Sequence, residues 1–209
     1  MRTYLTSEKF QTLFLSLSVI VILAAVMISD GFLAAEKVRN ECLRLHILAD
    51  SDSEADQTVK LIVRDALLQE TKDLFTASKN ALEATQRVME NKEELEKIAE
   101  KALRDNGFLY GAEISVCEEY FTSRQYDDIT LPAGNYTALK VILGEGQGHN
   151  WWCVMFPPLC IPSVTADTEE NVYGVFGESG GALVFGKEGY KIKFRIVEIV
   201  ENIIDSLKS

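Results

Sequence analysis

Histidine and paired cysteines are scarce in this chain, and their scarcity excludes the usual metal chemistry. Two histidines and four cysteines, with no Cys-x-x-Cys pair, supply too few ligands at the spacings of a structural zinc site. Clustered cations are missing as well. Lys and Arg number 21 against 32 Asp and Glu, for a net charge of −11, and no basic stripe interrupts the acidic background. Binding a phosphate backbone requires such a stripe, so nucleic acid is excluded as a partner. The same balance disfavours electrostatic adhesion to anionic lipid, so any membrane contact must be hydrophobic. Internal repeats and long linkers are absent. Gly144 to Gly148 has the glycine content of a phosphate loop but lacks the following Lys-Ser/Thr and a helix start. No cofactor, metal or small-molecule substrate is expected.

One long hydrophobic run is present. Phe10 to Ser29 contains no charged residue. At about 1.5 Å per residue, roughly 20 such residues match a bilayer core of about 30 Å. Arg2 and Lys9 precede the run, and Asp30 and Glu36 follow it. By the positive-inside tendency the N-terminus stays in the cytoplasm and the rest is exported. Retention as an anchor and removal as a signal peptide both remain open, because Ser29-Asp30-Gly31 offers only a weak cleavage site. The expected organisation is a cytoplasmic tip with membrane segment at 1–35 and one extracytoplasmic domain at 36–209.

With 47% hydrophobic and 25% charged residues, the exported part has material for a core of its own. Alternation in Glu41–Ala49, Ala112–Phe121 and Tyr136–Leu143 predicts strands, with another at Trp152–Phe156. Capping-box spacings at Ser51/Glu54 and Ser53/Asp56 predict a helix start, followed by Val59, Ile62, Val63, Ala66 and Leu67 on one face. A single helix is predicted over about 81–105, and a last one over Phe194–Lys208. Gly144–Gly148 is expected to be a flexible hairpin loop. The glycines of 164–189 suggest a loop-rich tract. The fold class is therefore α+β, an N-terminal membrane-spanning helix followed by a mainly antiparallel sheet with two to three helices.

Two segments carry a resemblance. LRLHILADSDSEADQTVKLIVRDA (Leu43–Ala66) and LPAGNYTALKVILGEGQGHNWWCVMFPPLC (Leu131–Cys160) are similar to the signatures of the stage II sporulation protein R (SpoIIR) family. The most specific part is Gly-x-Gly-x-Asn-Trp-Trp-Cys followed by Phe-Pro-Pro-Leu-Cys. The resemblance implies a signalling protein of endospore formation rather than an enzyme. It would be exported from the forespore into the space between the two sporulation membranes. Its implied partner is a membrane-embedded aspartic protease of the SpoIIGA type, which removes the pro-segment of sigma factor E.

The sequence also offers a few residues for chemistry of its own. His46, Asp50 and Cys153 form the only triad-like inventory, and an exported Cys–His hydrolase acting on the cell wall is the alternative function. Cys153 lies between Trp152 and Val154, where a thiol is usually buried and inert. No catalytic residue is therefore assigned. Candidates for partner binding are Trp151, Trp152, Phe156, Leu159 and His46. Successive strand residues face opposite sides, so Trp151 and Trp152 cannot enter one core together, and an exposed Trp is a typical interface anchor. Cys153 and Cys160 flank Pro157-Pro158, which can turn the chain back on itself and permit a disulfide after export. Two buried free thiols are the competing expectation. Cys42 and Cys117 are expected to be core thiols in strands.

Overall fold

The structure, a computed structural model, describes residues 2–126, 128–159, 166–187 and 189–208. Helix α1 (Arg2–Asn40) leads into strand β1 (Leu43–Leu48). Helices α2 (Glu54–Thr76), α3 (Ala81–Glu90) and α4 (Lys92–Asp105) follow, then β2 (Ala112–Phe121), β3 (Arg124–Tyr126) and β4 (Ile129–Leu131). The chain continues through β5 (Gly134–Leu143), β6 (Asn150–Phe156), α5 (Ala166–Val184) and α6 (Tyr190–Lys208). The class is α+β.

The main sheet has the order β2-β5-β1-β6, and β3-β4 form a separate two-stranded ribbon. β1 runs parallel to β5, while β1–β6 and β2–β5 are antiparallel. Alternation sends Leu43, Leu45, Ile47, Leu139, Val141 and Ile114 to one face, where they pack with Val59, Val63 and Leu67 of α2 and with Leu95 and Leu103 of α4. Ser53 caps α2 as expected: its hydroxyl accepts from the Asp56 N–H at 3.1 Å and donates to the Asp56 carboxylate at 2.7 Å.

The second face is divided. One end is covered by Val38 of α1, Val172 and Phe176 of α5, and Ile129 and Leu131 of β4, around Tyr136, Ala138 and Val154. The other end, carrying Ser115, Cys117, Lys140, Ile142 and Leu48, stays half-exposed.

Several expectations are corrected. The single helix over 81–105 is two, separated at Asn91, and five helices follow α1 among the described residues rather than two or three. Gly144–Gly148 is no hairpin loop, because β1 lies between β5 and β6. The glycine-rich tract is largely helix α5, bent at Gly177; residues 160–165 and 188 lie outside the described residues. Its glycines let it approach α1 closely. A Cβ on Gly180 would stand 2.8 Å from Phe176 Cβ and 3.2 Å from Val38 Cγ2. Cys42 is fully buried as expected, but it precedes β1 rather than lying in it.

Among the described residues no helix is long and apolar enough to cross a membrane. The uncharged run lies within α1, where Phe10, Leu13, Phe14, Ile20 and Ile22 are each at least 60% exposed. The expected boundary at residue 35 falls inside this helix. Ala34 and Ala35 already pack against Leu183 and Val197.

Candidate functional site

The two sequence segments that carry the family resemblance meet at one end of the sheet. β1 ends in Ala49-Asp50-Ser51-Asp52, and β5 leaves through Gly144–His149; the two loops bind each other through backbone groups. Gly148 N–H donates to Ala49 C=O at 2.9 Å and Gln147 N–H to Asp50 C=O at 3.1 Å. Asp50 Oδ1 accepts the Glu145 N–H at 2.7 Å, and Asp52 Oδ1 accepts the His149 N–H at 2.6 Å. A Cβ on Gly148 would collide with the Ser51 carbonyl, so the close approach requires glycine there.

Beneath this clasp Lys60 is buried and donates to His149 C=O at 2.8 Å and Gln57 Oε1 at 2.6 Å. Burial lowers its pKa, and Asp52 acts in the opposite direction. Asp56 accepts from the hydroxyls of Ser51, Tyr110 and Ser53, which together hold its carboxyl below the ordinary range. The Tyr110 hydroxyl is pushed up by burial and by its bond to Asp56.

Next to the clasp, His46 stands on the divided face of the sheet. Its Nδ1 lies 2.7 Å from Glu119 Oε2 and its Nε2 2.8 Å from Asn150 Oδ1. Lys140 Nζ donates to the other Glu119 oxygen at 3.3 Å. The Trp152 ring stacks on the imidazole with centroids 5.4 Å apart, and Arg124 lies 3.9 Å over that indole. His46 is 4% exposed and serves as the centre of the network, while Trp152 and Asn150 reach the surface.

Farther along β1, Arg44 is fully buried in an aromatic box. Its guanidinium carbon is 4.2 Å from the Phe121 centroid, 4.9 Å from Tyr136 and 5.6 Å from Tyr126. Nε donates to Cys153 C=O at 3.0 Å and one terminal nitrogen to Tyr126 Oη at 2.6 Å; the other terminal nitrogen has no partner. The rings face the cation with their negative quadrupoles and take the place of a carboxylate.

Neither side of the sheet brings His46, Asp50 and Cys153 together as a triad. Leu45 is the register partner of Cys153, and both belong to the helix-side core, whereas His46 points to the opposite face. Cys153 is disulfide-bonded, and Asp50 is engaged by the Glu145 N–H. Its expected partner Cys160 lies outside the described residues. Cys117, nearest to the Glu119–Lys140 pair, has its thiol pKa raised by burial and by Glu119, the wrong direction for a nucleophile.

The other candidates are dispersed. Trp151 and Trp152 are both half-buried, on opposite faces, and Trp151 lies 4.6 Å beneath Arg64 on the helical side. Phe156 is buried edge-to-face against Phe75, whereas Leu159 packs into the other core. Sequence reasoning missed Arg44, Glu119, Arg124 and Asn150 as members of the site. The period-two alternation that placed His46 also places Arg44 on the same face.

A family model described as stage II sporulation protein R matches residues 39–166, more than half of the chain. The stage II sporulation protein R of Bacillus subtilis (strain 168) is 36% identical over 126 residues, which cover 59% of this chain and 55% of that protein. The match thus spans about half the length of that relative. No solved structure matches the chain.

Proposed function

Because the chain belongs to the stage II sporulation protein R family, we propose that it is an exported signal of endospore formation that activates a partner protease and performs no chemistry itself. The partner is a membrane-embedded aspartic protease of the SpoIIGA type, which then processes the sigma factor E precursor. The observation that carries this reading is the use made of the signature residues. Asn150 and Trp152, held by the buried His46, build an arginine-capped surface beside the interlocked loops, and among the described residues both imidazole nitrogens are engaged by Glu119 and Asn150 rather than by a thiol or hydroxyl. Such an arrangement suits recognition by a protein, with Trp152 as the anchor and His46, Glu119 and Lys140 as its support.

Export to the space between the sporulation membranes belongs to the same proposal. It rests on the uncharged sequence Phe10–Ser29, its flanking charges and the exposed apolar side chains of that part of α1. A disulfide between Cys153 and Cys160, the pairing expected from the sequence, would fit that compartment.

Co-expression of the full chain with the protease and the sigma precursor, in a host that does not sporulate, tests the function. Processing that requires the chain is expected; processing that is equal without it rejects the signalling role. A reporter fused after Ser209 that works only outside the cytoplasm is expected to be active. Activity confined to the cytoplasm would overturn the topology.

A further inference from the structure

We propose that the outer edge of β2 is a docking site for an extended segment of the partner protein carrying lysine or arginine, which joins the sheet as a fifth strand. This rests on the reading of the chain as a signal that binds a protein partner. β2 is an edge strand of ten residues, and its register with β5 runs from Ala112↔Leu143 to Phe121↔Gly134 without a bulge.

Two hydrogen bonds fix which backbone groups face outward. Gly144 N–H donates to Gly111 C=O at 3.0 Å, on the β5 side. Ile114 N–H donates instead to Glu96 Oε1 of α4 at 3.0 Å, on the side away from β5. Directions alternate residue by residue along a strand, so Val116 and Glu118 also point their N–H and C=O groups outward. Neither has a partner there among the described residues. Glu96 thus occupies the Ile114 position of this edge with an acceptor, and Val116 and Glu118 beyond it are open among the described residues.

Charge selects the occupant. Glu113 and Glu118 are exposed, and Glu119 adds a third carboxylate nearby. A second copy of the same edge would set like charges against one another, which is destabilising across strands. Acidic side chains guard an edge against such self-pairing, but the guard discriminates by sign. A strand bearing Lys or Arg meets complementary charge, while its backbone completes the ladder. The docked segment would also lie beside the Glu119–His46 network, extending one continuous surface.

The test uses the full chain co-expressed with the protease and the sigma precursor. Val116→Pro deletes one outward N–H without removing a bond to β5, a substitution that edge strands tolerate. Val116→Ala is its control, and Glu118→Lys reverses the charge without altering the backbone. V116P and E118K are each expected to reduce processing about tenfold, the worth of one hydrogen bond or ion pair, while V116A is unchanged. In the co-purified complex, amide exchange at Glu118 should slow by a similar factor. Full processing by both V116P and E118K, or unaltered exchange at Glu118 within the complex, overturns the proposal. Should V116P lose exchange protection in β5, E118K decides alone. Should the wild-type chain yield no processing, the signalling reading fails. The same exchange measurement on the chain with a synthetic peptide of alternating lysine and valine then separates the two ideas: slowing keeps the docking edge, and no change rejects it.

Discussion

The guanidinium of Arg124 lies 3.9 Å from the centroid of Trp152, so the indole that stacks on His46 is held from above by a cation. Arg124 belongs to the short β3–β4 ribbon, and this contact ties the ribbon to the main sheet. Arg124→Ala should therefore free Trp152. A contact of this kind contributes about 0.5–1 kcal/mol at a partly exposed site. Thermal unfolding should shift little, while Trp fluorescence becomes more accessible to a soluble quencher. Unchanged quenching would mean that the ring is held by the stacking alone.

His46→Ala leaves Glu119 and Asn150 without their shared partner. Loss of stability of about 1–3 kcal/mol is expected in denaturant titration. Processing of the sigma precursor should fall only as far as folding or partner binding falls. A hydrolytic turnover that is measurable in the wild type and abolished in a folded, partner-binding H46A chain would contradict the non-enzymatic role.

Gly148→Ala drives a methyl group into the Ser51 carbonyl. The clash is with backbone, so the two loops must separate, at a cost of about 1–3 kcal/mol. The expected signature is local: faster amide exchange at Gln147 and at residue 148, with the β1–β5 ladder still protected. Uniform loss of protection would show that the clasp and the sheet unfold as one unit.

Asp56 gives the chain a defined acid response. Three hydroxyl donors hold its pKa below the ordinary 3.8. A lowered folded-state value means that the stabilisation is fully present above 3.8 and is lost as pH falls through the lowered value. Asp56→Asn should lower stability above that window and flatten the profile across it, so that the two proteins converge at low pH. An identical acid limb in both proteins would assign the response to other carboxylates.

Cys153 is expected to be recovered joined to Cys160 when the exported protein is mapped by mass without reduction. Closing so short a loop stabilises by roughly 2–3 kcal/mol. Cys42, whose thiol is pushed up to about 12 by burial, should resist alkylation until the chain unfolds. Finding Cys153 and Cys160 both alkylated without reduction would reject the bridge.

Much of this fold is legible in the sequence because alternation survives wherever one sheet face meets a helix. LRLHIL and AEISVCEEYF read as strands for that reason, and the Ser53–Asp56 spacing marked the start of α2. The break at Asn91 is hidden, since the apolar positions of α3 and α4 continue across it. β3 and β4, three residues each, are too short to show a period. α5 was obscured by glycine: low helix propensity suggested a loop, but packing on α1 outweighs it, and Gly180 is where the two helices need room. Of the site, the signature residues were visible and their assembly was not. Arg44 looks like a solvent-facing residue of β1, because nothing local reveals that α1, α5 and the β3–β4 ribbon cover that end of the second face. Glu119 is 73 positions from His46, and only the strand order brings them together.

α1 continues without interruption from the uncharged run to Asn40, and its Ala34, Ala35 and Val38 are sealed against α5 and α6. On the proposed topology, the domain therefore stands on a post and does not hang from a string. Asn40 is eleven helical steps beyond Ser29, so α1 ends about 16 Å above the end of the run and the sheet begins just after it. Its compass heading is set as firmly as its height. One residue inserted directly after Ser29, ahead of the packed Phe32, Ala34, Ala35 and Val38, would turn the whole domain by about 100° and swing Trp152 and the β2 edge away from the proposed partner in the facing membrane, while leaving those helix contacts in place.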